Sequence, residues 1–408
     1  MNHRIQRSAV PVVAGLRVVP GLCVVLGLCV ALGPWAATTL SARQPTPVSG
    51  EVSCAECVIT LDTVATLGTW DDSGIPVITP FSRVAVDHRG RFLITHLTYP
   101  AISVFAPDGE FLGIVGRGGD RTGGAGDRTG GAGDRTIEFE AIAHVNVGSR
   151  FIHVFDFRRG RMVLDQGFEL VRTDRAVGQV LSSVVLAEDQ IAFAVPAAEP
   201  ATVGHQLHIL DLGGRTAHFG SDPPLDQGPQ SQRFLVTGDY RNVWVVSQQA
   251  NRLVRWDLEP TPAVARIFDR TVEPFESHNP PTETWPRSLN VGSMLDENGL
   301  WIAWQTPDPE WTERISPGGQ IPEAPWQTVL DGWLDLIDRA TGRTLARYHG
   351  DDALLGFANG SRYVVSYHEP NSGGSYIRLL EPRLSRVSSG SGRHASPTPS
   401  TRPVRRSR

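Results

Sequence analysis

SRVAVDHRGRFLITHLTYPAISVFAPDGEFLGIVGRGG, residues Ser82 to Gly119, reads as four short strands in succession. Val84 to Val86 run into the turn Asp87-His88-Arg89-Gly90, and Phe92 to Ile94 form a second apolar run ending near Tyr99-Pro100. Ile102 to Phe105 lead into Pro107-Asp108-Gly109, and Phe111 to Val115 close at Gly116. Strand-length runs separated by Asp-Gly and Pro punctuation describe a small antiparallel meander. Such a sheet has two apolar faces and cannot bury both alone. It needs copies of itself.

Copies follow along the chain. A second runs from Phe139 to Arg175, a third from Gln179 to Gly220, and a fourth from Arg233 to Arg270. A fifth, Arg287 to Gly350, carries a long interruption, and a sixth, Ala353 to Arg386, stops short of a fourth strand. The segment from Ile59 to Leu67 reads as an outer strand ending in Leu-Gly, and pairing it with the last copy completes the sixth sheet. That closure removes the two open edges of a linear array. The fold class expected is therefore all-β, a six-bladed β-propeller of four-stranded antiparallel blades, with the ring closed by an N-terminal strand. A pair of β-sandwiches leaves unexplained the recurrence of apolar strand, Asp, turn and Gly.

Ser82 to Gly119 resembles an NHL repeat: V-A-V-D-x-x-G, a hydrophobic strand, I-x-V-F-x-x-D-G-x-F, then I-x-G. Where such repeats carry Ala-Asp at the end of the second strand, this chain has Thr95-His96. Later copies keep the third-strand signature, at Leu207 to Asp211, Leu253 to Asp257 and Leu334 to Asp338. The resemblance implies NHL-like six-bladed architecture and by itself no activity.

The ends of the chain suggest its compartment. Arg4 and Arg7 precede Val18 to Gly33, an apolar run broken by Pro20 and glycines, so residues 1–42 read as a signal peptide or an N-terminal anchor. Ala37 and Ala42 are the candidate cleavage points, but Trp35 and Leu40 stand two residues before them and spoil a small-x-small site. An uncleaved anchor remains the other reading, since the run is near the lower length limit for a span. Either way the folded part is expected outside the cytoplasm, periplasmic or secreted. Residues 43–57 are expected to be a linker carrying Cys54 and Cys57, residues 58–386 the propeller, and 387–408 a disordered Ser/Pro/Arg tail. Cys54-x-x-Cys57 sits in no βαβ pattern, which favours a local disulfide over a redox pair; two cysteines are too few for structural zinc. The formal charge of −5 gives no field for nucleic acid. No lysine occurs, which excludes Schiff-base, P-loop and lysine-base chemistry.

In a propeller the connections from second to third strand, and from one blade to the next, share one face. The long connections all fall there: 116–137, 196–204, 221–231, 271–286 and 306–330. Long loops on a rigid scaffold are where binding usually resides. Gly118 to Thr136 is a tandem GGAGDRT repeat, read as an expanded flexible loop; its period and its arginines separate it from calcium-binding nonapeptide repeats. The fifth-blade interruption places Trp311, Trp326, Glu310 and Glu313 near Trp285 and His278 from the preceding loop. Aromatic plates among carboxylates suit a sugar ring, a cationic peptide or an amine. The competing reading is that these tryptophans pack the insertion onto the blades. His96 joins the candidate ligand-binding residues because its strand end points toward the loop-rich side.

No HExxH, GxSxG, Walker or dinucleotide motif occurs. Some six-bladed relatives are lyases or lactone hydrolases with a channel metal held by His, Glu, Asp or Asn, but His96, His144, His153, His278 and His368 recur at no common blade position. His205-x-x-His208 is a weak pair, since strand residues three apart face opposite ways. No catalytic residue and no metal ligand is assigned, and no cofactor is expected. The expected function is an exported binding or scaffold module for a peptide, glycan or protein partner. The alternative is a metal-dependent lyase or hydrolase with calcium or zinc in the channel; a third is a structural module of an envelope assembly. Membrane contact is expected only through an uncleaved N-terminal segment.

Overall fold

The structure, a computed structural model, describes residues 44–68, 75–96, 99–118, 137–174, 180, 182–194, 207–219, 234–277, 287–309, 325–370 and 374–386. The expected leader 1–42, most of the tandem repeat and the tail 387–408 lie outside the described residues. No helix of the described residues is long and apolar enough to cross a membrane.

The chain folds as a six-bladed β-propeller, each blade containing a four-stranded antiparallel meander. Blade 1 comprises Arg83–Val86, Phe92–Thr95, Ile102–Phe105 and Phe111–Val115. Blade 2 comprises Ile142–Val147, Phe151–Asp156, Gly160–Asp165 and Leu170–Asp174. Blade 3 holds Ser183–Val185, Ile191–Phe193, Leu207–Leu210 and Thr216–Phe219. Blade 4 holds Phe234–Gly238, Asn242–Ser247, Arg252–Asp257 and Ala263–Thr271. Blade 5 is Leu289–Leu295, Leu300–Pro307, Leu330–Ile337 and Thr344–Gly350. Blade 6 takes Ala353–Phe357, Val364–His368 and Tyr376–Arg386 from the end of the chain and Cys57–Leu67 from near its start.

Each blade buries apolar side chains on both faces, so the core is a series of layers between blades. Trp244, Val246 and Phe268 of blade 4 meet Leu300, Ile302 and Trp304 of blade 5. Near the axis, side-chain amides and hydroxyls bind one blade to the next. Asn146 donates to Ser183 between blades 2 and 3, and Ser182 accepts from the Val236 N–H, 2.9 Å, between 3 and 4. Asn290 donates to the Ser247 carbonyl, 2.7 Å, between 5 and 4. Asn359 closes the circle: its backbone pairs with Val84 and Val86 of blade 1, and its side chain reaches the Val145 carbonyl of blade 2 at 2.7 Å. Blades 5 and 6 approach so closely that a Cβ on Gly292 would stand 2.4 Å from the Gly356 Cα, which only glycine permits.

The expected linker 43–57 proves to be a belt. Thr46–Ser49 adds a fifth, parallel strand to the outer edge of blade 4. Val52 bridges Thr344, and Cys54 N–H donates to the Leu345 carbonyl, on the outer strand of blade 5. A Cys54–Cys57 disulfide then turns the chain into the outer strand of blade 6. Three consecutive blades are thus tied from outside by about twenty residues. A four-residue strand containing Pro47, with Val48 its buried residue, carries too little alternation to read as a strand in advance.

A buried ion cluster fixes the belt. Asp335 accepts from Arg270 of blade 4 at 2.8 Å and from Arg347 of blade 5 at 2.7 and 2.9 Å. Arg270 also donates to Thr344 Oγ1, which donates to the Gly50 carbonyl at 3.1 Å. Burial works against the Asp335 charge, yet the bonds and charges of Arg347 and Arg270 outweigh it and hold its pKa below the ordinary range. Removing one partner of such a cluster leaves uncompensated buried charge. Asp335→Ala is expected to cost about 3–5 kcal/mol, read as a lowered urea midpoint.

Candidate functional site

The two faces of the ring are built differently. On the face of first-to-second and third-to-fourth turns, aspartates hold the chain reversals closed. Asp87 Oδ1 accepts from Arg89 and Arg91 N–H at 2.9 and 2.8 Å, and Asp165 Oδ1 from Gly167 and Glu169 N–H, both at 2.8 Å. Asp338 Oδ1 accepts from Ala340 and Thr341 N–H at 3.0 and 2.7 Å. A carboxylate that satisfies the turn's own amides keeps it short. This is the physical content of the recurring Asp-turn-Gly. The depressions on this face, around Arg255 and Arg339 and around Arg150 and Arg215, are lined by arginines of which Arg150, Arg215 and Arg255 are already paired with aspartates.

The opposite face holds the described strand ends from which the long connections depart. The strands that bound 116–137, 221–231 and 271–286 are the last of one blade and the first of the next, and those that bound 196–204 and 306–330 are second and third strands.

The described part of this face is richest in ring and acid groups at blade 5. Trp304, Trp333 and His349 stand opposite one another on its second, third and fourth strands. They stack, with ring centroids 4.7 Å apart for the tryptophans and 3.8 Å for Trp333 and His349. Phe275 packs edge-on against Trp304, and the Arg347 guanidinium lies 5.4 Å from its ring centre. Trp333 Nε1 donates to Thr306 Oγ1 at 2.9 Å. Trp304 is buried and Trp333 partly so, and the outermost plate is His349, whose side chain is 44% exposed. Asp331 Oδ2 lies 3.1 Å from His349 Nε2. Burial raises the Asp331 pKa, Asp308 and Asp351 push in the same direction, and His349 opposes them.

At the neighbouring blade 6, Trp326 opens the 3-10 turn Trp326–Thr328 and sets its ring edge-on to Phe81 at 5.8 Å. Its N–H donates to Glu369 Oε2 at 3.1 Å, and Glu369 Oε1 accepts from the Tyr367 hydroxyl at 2.7 Å. Gln327 bonds the Glu369 backbone in both directions. Burial, with the Glu369 bond second, raises the Tyr367 pKa and keeps that hydroxyl a donor. This set docks the end of the interruption onto blade 6. For Trp326 and Trp333 the structure shows packing contacts, and Trp326 retains partial exposure beside the exposed Phe81.

His96 is not presented to the face. It is 1% exposed, and its Nε2 lies 2.9 Å from Ser103 Oγ inside blade 1. Residues His278, Trp285, Glu310, Trp311 and Glu313 lie outside the described residues. His144, His153 and His368 are buried in blades 2 and 6, and among the described residues no group of three or more His, Cys, Asp or Glu forms a metal-holding set. His349, Asp331 and Glu369 had escaped the sequence reading. The turn Asp338 to Arg343 could have placed His349 opposite Trp333, save for a register shift between Leu336 and Ile337.

No family model matches the chain, and neither does any curated protein sequence. Among solved structures, the chain is similar to a "Putative exported protein" of Bacteroides fragilis, with a TM-score of 0.50 and 11% identity over 84% of this chain and 100% of that one. At that identity the likeness concerns the fold, an all-β propeller.

Three buried histidines carry a consequence for acid stability. Burial lowers the pKa of His96, His144 and His153 from 6.5 to about 4; Arg83 adds to the effect at His144 and Arg161 at His153. The unfolded chain therefore takes up protons between pH 6.5 and 4 that the folded one refuses. Stability is full above 6.5 and falls through that window, by about 1.4 kcal/mol per unit of depressed pKa. A falling urea midpoint between pH 7 and 4.5 is expected. His153→Leu, which removes a buried ring whose Nε2 lies 3.9 Å from Asp189 Oδ1, is expected to flatten that decline.

Proposed function

We propose that this chain is an exported β-propeller of the NHL type, acting as a binding or scaffold module that engages a peptide, glycan or protein partner through its loop-rich face. The observation that carries the reading is the asymmetry of the two faces. Aspartate-held turns seal one, and the strand ends that bound the long connections lie at the other. Rigid blades beneath long loops are the usual arrangement of a binding surface. The described rim adds carboxylates at Asp308, Asp331 and Asp351 near a stacked, half-exposed His349, with Glu369 holding Trp326 on blade 6, which favours a partner bearing cationic or hydroxyl groups. Export rests on Arg4, Arg7 and the apolar run that follows, and the Bacteroides fragilis protein of similar fold, called a "Putative exported protein", is compatible with it.

The test is a screen of the purified protein against peptide and glycan arrays, followed by variants on each face. Trp311→Ala and Trp326→Ala are expected to weaken the selected ligand at least tenfold, and Arg215→Ala and Arg343→Ala on the sealed face to leave it unchanged. Binding that follows the sealed face would overturn the proposal, as would stoichiometric channel metal accompanied by hydrolase or lyase turnover.

A further inference from the structure

Blade 3 carries a pair of histidines that the proposed binding face does not use. His208 on the third strand and His218 on the fourth are directly opposite each other in the antiparallel register, and their Nδ1 atoms are 2.7 Å apart. Sequence spacing made His205 and His208 a weak pair; the hairpin sets His218 opposite His208. His208 is fully buried and stacks on Phe193 of the second strand, with ring centroids 5.2 Å apart and planes 22° apart. Packing thus fixes its ring and aims Nδ1 at the outer strand. His218 is exposed, and its ring stands at 80° to that of His208.

We propose that His208 and His218 form a two-histidine site for a borderline divalent transition metal, Cu2+, Ni2+ or Zn2+, on the outer edge of blade 3. Tetrahedral Zn2+, at about 2.0–2.1 Å from each imidazole nitrogen, needs those nitrogens about 3.3 Å apart, whereas Cu2+ or Ni2+ with two imidazoles at a right angle in a square plane holds them about 2.9 Å apart. The observed separation is within a few tenths of an ångström of that. A 2.7 Å approach of the two Nδ1 atoms calls for a hydrogen on one of them, and that hydrogen has another place to reside. When each ring carries its hydrogen on Nε2, both Nδ1 lone pairs face the gap, and no proton need leave the protein. One ligand is locked by packing and the other is reachable from solvent, so little ordering entropy opposes binding, and water completes the coordination. Imidazole donors bind in the order Ni2+ below Cu2+, with Zn2+ below Cu2+, so copper should bind most tightly.

The test compares the full chain with His218→Ala and His218→Gln by calorimetric titration with each metal ion, and by thermal unfolding with and without Ni2+. Because His218 is exposed, both variants are expected to keep the wild-type circular dichroism. The wild type is expected to bind one equivalent more than either variant and to gain melting temperature with Ni2+, since a ligand that binds only the folded state stabilises it. Identical stoichiometry and affinity in wild type and variants would overturn the proposal, and so would a wild type that binds none of the three ions. Array binding is measured without added metal, so failure of this site leaves the loop-face reading untouched, and the reverse holds as well.

Discussion

The constraint on which the structure depends is that a ring of sheets has no free edge only when its last sheet is completed from elsewhere in the chain. Blade 6 has three strands of its own, and Cys57–Leu67 supplies the fourth in a register running from Cys57 opposite Arg386 to Leu67 opposite Ile377. Hydrogen bonds along this strand satisfy the outer edge of Tyr376–Arg386 and at the same time lock the first and last parts of the propeller together. Every interblade layer then has a partner on each side. The polar staples near the axis, from Asn146 to Asn359, can hold a fixed geometry only because the circle is closed.

The absence of lysine gives this closure a particular chemistry. Each buried cation at a blade boundary is a guanidinium. Arg161 meets Asp174 and the Asp211 carbonyl, and Arg270 with Arg347 meets Asp335. A planar group with several fixed donors can satisfy a carboxylate and a carbonyl of the next blade together, which a single ammonium does less well. Stacking on Trp304 and Trp333 uses the same planarity at Arg347.

Much of the fold was legible because the blade period is written in local signals. Valine-rich runs, Asp-turn-Gly reversals and the Leu-Gly end of the N-terminal strand each report on a few neighbouring residues. The belt was not legible, because Thr46–Ser49 gains its strand character from the edge of blade 4 and from Val48 entering that core. The candidate site was legible only in part. Trp326 was found by composition, yet its anchoring to Glu369 depends on a contact across more than forty residues. His96 was misjudged because strand direction gives the end of a strand and not the depth at which a side chain sits. His349 and His218 both escaped because a cross-strand partner is fixed by register, and at His349 a bulge displaces that register by one residue.

The belt also sets an order of events in folding. A ribosome delivers residues 46–67 before any blade they join, since their partners lie on blades 4 to 6, as far along the chain as Arg386. That segment must therefore wait, unpaired, until those distant partners exist, and loop closure over some three hundred residues comes last. Blades 1 to 3 can collapse meanwhile on their local hairpins, but the ring cannot become a single cooperative unit until the strand ending at Arg386 has been made. A chain whose first strand finds its place last stays threadable for longer than one that folds from its beginning.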